Sequence, residues 1–299
     1  MRDSHHQICL ATCEHHPGFV ADDDTPLLNA FNDAGCDAHL LRWDEEHDWA
    51  FFDAVILRTT WDYTDRLDEF LAWCERVTSV SRLFNPLETI RANIRKTYLR
   101  ELEVAGVPVV PTIWMDTGAR RSIVRQQLSA SGWPSFIVKP SVGAGASGLL
   151  KVDGGDVMRA LTHADTLLPL GPVMFQPMLE TIRTRGELSV VLIDGVYSHA
   201  VRKVPKDGEI RVQIEFGATY TPEDAGDAER EIAHSATAWA SAAGEPPLYA
   251  RIDLVTLDDG TPVVIEAELI EPELFFPNVP EAAKRFVEAT LRRLQRTHV

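Results

Sequence analysis

Apolar positions in the first third of the chain follow two alternating rhythms. Gln7 to Thr12, Ala38 to Trp43 and Ala54 to Arg58 are short runs of strand length. Leu27 to Ala34, stopped by Gly35, and Asp65 to Val80, through Leu67, Phe70, Leu71, Cys74 and Val77, repeat at helical spacing. Strands separated by helices predict a parallel sheet with helices on its faces, and ligands of such sheets sit beyond the carboxyl ends of the strands. Thr59-Thr60-Trp61-Asp62-Tyr63 follows the third strand at such an end. It reads either as a substrate loop or as a packed turn around a buried Trp.

A helix from Asn93 to Ala105, stopped by Gly106, then leads into Val107-Pro108-Val109-Val110-Pro111, an extended crossing between domains. After a helix over Arg120 to Ala130 the rhythm changes to hairpins. Phe136 to Pro140 and Leu149 to Val152 flank a glycine loop, and Val173 to Gln176 is a short strand. Leu188 to Ile193 and Val196 to Val204 flank Asp194-Gly195, and Leu248 to Leu269 folds back at Asp259-Gly260. Helices over Asp227 to Ala242 and Glu281 to Arg296 complete a chain that is α/β first and α+β afterwards.

Composition narrows the partners. A net charge of −16 over 299 residues argues against nucleic acid or an anionic membrane, though not against a small phosphate compound met by a few local cations. No stretch has the length of a membrane span, and the N-terminus does not read as a signal peptide. Cys9, Cys13, Cys36 and Cys74 contain no CxxC pair, so they are expected to be reduced in a cytoplasmic protein.

The final hairpin carries the most chemistry. A two-residue turn at Asp259-Gly260 sets Asp258 opposite Thr261, Asp253 opposite Glu266 and Arg251 opposite Glu268, with all four charged side chains of the last two pairs on one face. The other face would carry Ile252, Leu254, Val263, Ile265 and Leu269. Opposed carboxylates repel, so Asp253, Glu266 and Glu268 suit a hard cation such as Mg²⁺; the alternative is a solvated face with an Arg251–Glu268 ion pair. Gly143-Ala144-Gly145-Ala146-Ser147-Gly148 matches GxGxxG, but a strand follows it where a dinucleotide site needs a helix. It is a flap whose N–H groups can cover phosphates, or simply a hairpin turn. Lys139 sits in an apolar strand, where its ammonium needs an anion, while Lys96 on its helix is ambiguous. Gln176-Pro177-Met178-Leu179 can offer backbone groups to an adenine edge. A two-residue turn at Asp194-Gly195 puts Glu187 opposite Arg202, as an ion pair or with Glu187 free for a ribose hydroxyl.

In this order the elements resemble the ATP-grasp superfamily: an N-terminal α/β domain, a lysine before the crossing, a Val-Lys-Pro strand with its flap, a hinge, and a hairpin with Arg-x-Asp and Glu-x-Glu. The resemblance implies an ATP-grasp fold with an N-terminal Rossmann-like (pre-ATP-grasp) domain over 1–92, a lid subdomain over 93–176 and a metal-binding subdomain over 177–299. It implies Lys96 and Lys139 on the α- and β-phosphates of ATP and Gly143, Gly145, Ala146, Ser147 and Gly148 over the β/γ end. Gln176, Met178 and Leu179 would hold adenine, and Glu187 the ribose. Asp253, Glu266 and Glu268 would hold Mg²⁺, and Arg251 would stabilise the moving phosphoryl group. Many members end the metal motif in Asn where this chain has Glu268. Segments 58–63, 198–203 and 266–272 resemble the stand-alone ligases of bacterial secondary metabolism, which makes Asp62, Tyr63, Arg202 and Lys203 the candidates for a small amino-acid-like substrate. The implied chemistry is an acyl phosphate attacked by nitrogen, within one substrate or between two as in peptide ligases. A non-catalytic ATP-binding regulator is the alternative of another class. Homodimers are common in the family.

Overall fold

The computed structural model describes residues 5–14, 23–143, 148–241 and 245–296. The N-terminal part runs β1 (Gln7–Thr12), α1 (Asp24–Asp33), β2 (Asp37–Arg42), β3 (Ala54–Thr59), α2 (Leu67–Val80) and β4 (Arg82–Phe84). Its sheet is parallel, in the order β2-β1-β3-β4. All six residues of β3 are buried, as a strand covered on both faces requires. The order reverses between β1 and β3, so the crevice of this sheet opens beyond their carboxyl ends. Thr12 and Thr59 meet there, with hydroxyls 2.6 Å apart.

The helix expected over Asn93 to Ala105 begins only at Tyr98, as α4 (Tyr98–Val104), and a separate α3 (Leu87–Asn93) precedes it. Lys96 therefore lies in the turn between them and not on a helix; its backbone N–H donates to Ser141 O at 2.7 Å. The central sheet, β5-β8-β6-β7, is antiparallel. It comprises β5 (Ile113–Met115), β6 (Ser135–Pro140), β7 (Leu150–Asp153) and β8 (Val173–Pro177), with α5 (Arg121–Ala130) and α6 (Val157–Leu167) packed against it. Next come α7 (Glu180–Arg185), β9 (Glu187–Ile193), β10 (Val196–Val204), β11 (Thr219–Glu223), α8 (Asp227–Trp239), β12 (Tyr249–Thr256), β13 (Pro262–Glu268) and α9 (Glu281–Gln295). These five strands form an antiparallel sheet in the order β11-β10-β9-β12-β13. Tyr98, Leu99, Leu102 and Val107 bury with this last sheet, so the crossing segment belongs to its core. No helix among the described residues is long and apolar enough to cross a membrane.

Two registers decide what faces the ligand. In β12–β13 the expected partners are found, Arg251 with Glu268 and Asp253 with Glu266, but by another route. Leu257 N–H donates to Thr261 O at 2.8 Å, so the loop is Asp258-Asp259-Gly260, one residue longer than expected. A bulge at Ile265, between the Asp253–Glu266 and Leu254–Val264 pairs, restores the register. The two displacements cancel at the carboxylates and not beyond them. Val263 and Ile265 therefore join Leu179, Ile182 and Val255, while Ile252, Leu254 and Leu269 pack on the opposite face.

In β9–β10 nothing cancels. A bulge at Ser198 shifts the pairing so that Glu187 lies opposite Lys203, not Arg202. A one-residue slip exchanges the two faces of a strand. Lys203 is turned inward and buried, and Arg202 is turned outward, its Nε donating to Glu223 Oε2 at 3.1 Å. Gly186 makes this crossing of strands possible: its φ is +75°, and a Cβ there would lie 2.1 Å from Lys203 O. Gly186→Ala is expected to destabilise the protein by about 3 kcal/mol or more, by forcing the hairpin open at Glu187 and Lys203. Gly106→Ala, at φ +84° with open space around it, should cost only about 1 kcal/mol. Urea unfolding of the two variants checks the difference.

Candidate active site

A cavity of about 250 Å³ opens between the central and C-terminal sheets and the loop beyond β3. Its apolar walls include Val110, Ile137, Met178, Leu179 and Ile265. Its polar walls carry Lys96, Lys139, Glu187, Lys203, Arg251, Asp253, Glu266 and Glu268, with Trp61, Tyr63, Tyr220, Glu271 and Glu273. Five cations, counting Arg211, and several carboxylates thus share one enclosure, and their pairing is specific.

Arg251 forks onto Asp253, Nε to Oδ1 and Nη2 to Oδ2, both at 3.0 Å; Nη2 also binds Glu268, and Nη1 donates to Glu273 O at 3.1 Å. Lys203 lies 3.0 Å from Asp253 Oδ2 and 3.3 Å from Glu187 Oε2, and Ser189 Oγ donates to Asp253 Oδ1 at 2.6 Å. Burial alone would raise the Asp253 carboxyl, but Arg251 and Lys203 hold it well below the usual range. Lys96 Nζ reaches Glu266 Oε1 at 2.8 Å and Gly143 O at 2.7 Å. Burial of Glu266 is likewise outweighed by Lys96 and Lys139, so its carboxyl is lowered.

The remaining groups are not balanced. Burial pushes Glu268 up to about 7, with Glu266 and Asp253 adding to it against the pull of Arg251. Glu271, hydrogen-bonded to Tyr63, is pushed up to about 8 by burial and by Glu268, and Glu273 to about 7 by burial and Asp23. Burial lowers Lys139, which forms no ion pair among the described residues. The enclosure therefore holds carboxylates in need of positive charge beside a lysine in need of an anion. A metal–phosphate compound supplies both.

The donor set fits a hard divalent cation, being three carboxylates and no sulfur or imidazole. As they stand, no three ligand-type side chains among the described residues converge closely enough to hold one. The oxygens of Asp253, Glu266 and Glu268 are engaged by Arg251, Lys203 and Lys96 instead.

The structure brings Lys96, Lys139, Gly143, Gln176, Met178, Leu179, Glu187, Lys203, Arg251, Asp253, Glu266, Glu268 and Tyr63 to the cavity. Gly145, Ala146 and Ser147 lie outside the described residues. Gly148 is turned to α6, its carbonyl 2.8 Å from His163 Nε2. Gln176 Nε2 donates to Thr112 Oγ1 at 2.9 Å, leaving a buried Oε1 without a partner among the described residues. Met178 N–H is already given to Ser135 O at 3.0 Å, so this N–H is not offered to a ligand. Asp62 does not line the cavity; it accepts from Trp43 Nε1 at 2.7 Å and so braces the loop from behind. Arg202 is outside for the register reason above. The sequence reading passed over Ser189, Tyr220 and Glu273 and gave Glu271 no role. The signal for the glutamates was present: Glu266, Glu268, Glu271 and Glu273 fall within eight residues that contain no basic side chain.

Known proteins resemble this chain in sequence and in fold. Residues 8–85 match the family described as D-cycloserine synthetase DcsG, N-terminal domain, and residues 117–256 match the prokaryotic glutathione synthetase ATP-grasp domain. The chain is 36% identical over 285 residues to the cycloserine biosynthesis protein DcsG of Streptomyces lavendulae, covering 91% of this chain and 94% of that protein. It is 28% identical over 251 residues to a glutathione synthetase of Ralstonia nicotianae, covering 77% of this chain and 71% of that one. The fold superimposes on a crystal structure of D-cycloserine synthetase DcsG with a TM-score of 0.86 at 33% identity, over 96% of this chain and 99% of that one. The ATP-grasp ligase PsnB, complexed with a minimal precursor, Mg and ADP, shares the fold at a TM-score of 0.63 and 17% identity, over 96% of this chain and 98% of that one.

Proposed function

The chain belongs to the D-cycloserine synthetase family of ATP-grasp ligases, and from that premise we propose that it closes a single amino-acid-like substrate, O-ureido-D-serine, into a ring at the expense of ATP. The substrate carboxylate takes the γ-phosphoryl group, ADP leaves, and the substrate's own nitrogen displaces phosphate. One observation carries this reading: Arg251, Lys96, Lys139 and Lys203 surround one cavity with Asp253, Glu266 and Glu268. Such a set catalyses by positioning and electrostatics and needs no protein nucleophile.

In this assignment Gln176, Met178 and Leu179 frame adenine, with the Gln176 carboxamide oxygen as an acceptor. Glu187 binds the ribose. Lys96 and Lys139 hold phosphate oxygens beside Gly143. Lys203, expected on the amino-acid substrate, is reassigned to the phosphates because it stands between Glu187 and Asp253. Asp253, Glu266 and Glu268 are the residues that would hold Mg²⁺, which supplies charge neutralisation for phosphoryl transfer. Trp61, Tyr63, Glu271 and Glu273 remain for the substrate.

The test is ADP release from the purified protein with ATP and Mg²⁺ against single amino-acid-like compounds. Release with O-ureido-D-serine alone is the expected result. Release only with two compounds present would replace ring closure by two-substrate ligation, the reading the glutathione synthetase match favours. ATP binding without any release would leave a regulatory binder.

A further inference from the structure

Arg251 is held in place by a segment that belongs to neither of its own strands. Its Nη1 donates to Glu273 O, and its guanidinium carbon lies 5.6 Å from the centre of the Phe275 ring. Phe275 has φ +58°, a left-handed conformation that a bulky residue adopts only when its surroundings impose it. What imposes it comes from the N-terminal part, from Asp23 just ahead of α1 and Arg58 in β3. Asp23 brackets Phe275, accepting the N–H of Leu274 on one oxygen and that of Phe276 on the other, the second at 2.7 Å. Arg58, at the end of β3, donates from Nη2 to Asp23 Oδ2 at 3.1 Å and to Pro272 O at 2.9 Å. Both side chains are fully buried, Arg58 at 0% and Asp23 at 1% exposure. His199 Nε2, 2.8 Å from Leu274 O, completes the hold from β10.

From this geometry we infer that Asp23 and Arg58 are positioning residues for turnover. They fix the strained turn at Phe275, and the turn fixes the Glu273 carbonyl and the Phe275 ring against Arg251. A buried ion pair is weak evidence of stability in itself, since hydrophobic replacements are often as stable. This pair instead spends its hydrogen-bonding capacity on one carbonyl and two N–H groups of a turn that touches the site. The segment it holds also carries Glu271 and Glu273 into the cavity.

The inference rests on the proposed role of Arg251, and its test separates the two. Asp23→Asn keeps the shape but has one acceptor oxygen for two N–H donors. At a temperature where circular dichroism shows it fully folded, it should lose at least tenfold in kcat while the dissociation constant for ATP stays within twofold. Arg58→Lys, which keeps the charge beside Asp23 but loses the fork, should fall between it and the wild type. Hydrogen exchange across 271–277 should quicken in Asp23→Asn, a readout that needs no substrate. Wild-type kcat with unchanged exchange overturns the inference, and so does a loss of kcat matched by an equal loss of ATP affinity. Should the wild-type protein release no ADP with any compound, the functional reading fails, and exchange across 271–277 still decides whether Asp23 holds the turn.

Discussion

Arg251→Met is expected to lower ADP release at saturating substrate by about a thousandfold, with ATP affinity within a few fold of the wild type. Four of the five N–H donors of this guanidinium are engaged, two by Asp253, one by Glu268 and one by Glu273 O. That leaves one for a ligand and explains why the group is rigid. A rigid, preorganised donor acts where charge moves and contributes little to ground-state binding. Removing it also strips Asp253 and Glu268 of their shared cation, so the variant should lose about 3–5 kcal/mol of stability in the absence of metal. Arg251→Lys separates the two effects. It keeps the charge and most of the stability, but an ammonium cannot fork onto Asp253 and also reach Glu273 O. Its rate should remain at least a hundredfold down. A lysine variant within tenfold of the wild type would sink the assignment of the fork to turnover.

The sequence was most legible where local chemistry and tertiary demand agree. The three strands and two helices predicted for the N-terminal sheet lie within a few residues of those observed, and β1 and β3, buried parallel strands, read as nearly unbroken apolar runs. The hairpin that carries Arg251 and Asp253 opposite Glu268 and Glu266 was also legible, though by cancellation of an extra loop residue and a bulge. Bulges are invisible to an argument from turn type, since one inserted residue leaves the alternation looking intact on either side. The same blindness put Arg202 where Lys203 stands. The strand β5, three residues long, gave too short a pattern to register, and the break around Lys96 is set by its bond to Ser141 rather than by a helix breaker. The hold on Phe275 was illegible for another reason. Asp23 lies about 250 positions from the two N–H groups it accepts, and only the packed structure brings them together.

Stability of the metal-free protein should fall as pH rises from about 6 to 8 and recover when Mg²⁺ and ATP are added. The sign follows from the acids of the cavity. Glu268 and Glu273, pushed up to about 7, and Glu271, pushed up to about 8, bind protons in the folded state that the unfolded chain has already lost. A group raised in this way stabilises fully below its unfolded value near 4.5, and that contribution is lost as pH rises through its folded value. For Glu268 alone the loss is about 3 kcal/mol, an upper figure because its neighbours titrate with it. His199 acts in the opposite sense. Burial lowers it to about 4, so its contribution is present above about 6.5 and lost as pH falls toward 4. The two trends together set a stability maximum near pH 6 in the absence of ligand. Metal ligands must be deprotonated, so binding of Mg²⁺ with ATP at pH 6 should release protons and at pH 9 should release almost none. Calorimetry in two buffers of different ionisation enthalpy measures that number directly. Glu268→Gln should reduce the release at pH 6 and flatten the fall in thermal midpoint between pH 6 and 8. A release at pH 6 that is unchanged in this variant would mean that Glu268 gives up no proton when the metal binds, and the third carboxylate would then have to be sought at Glu271 or Glu273.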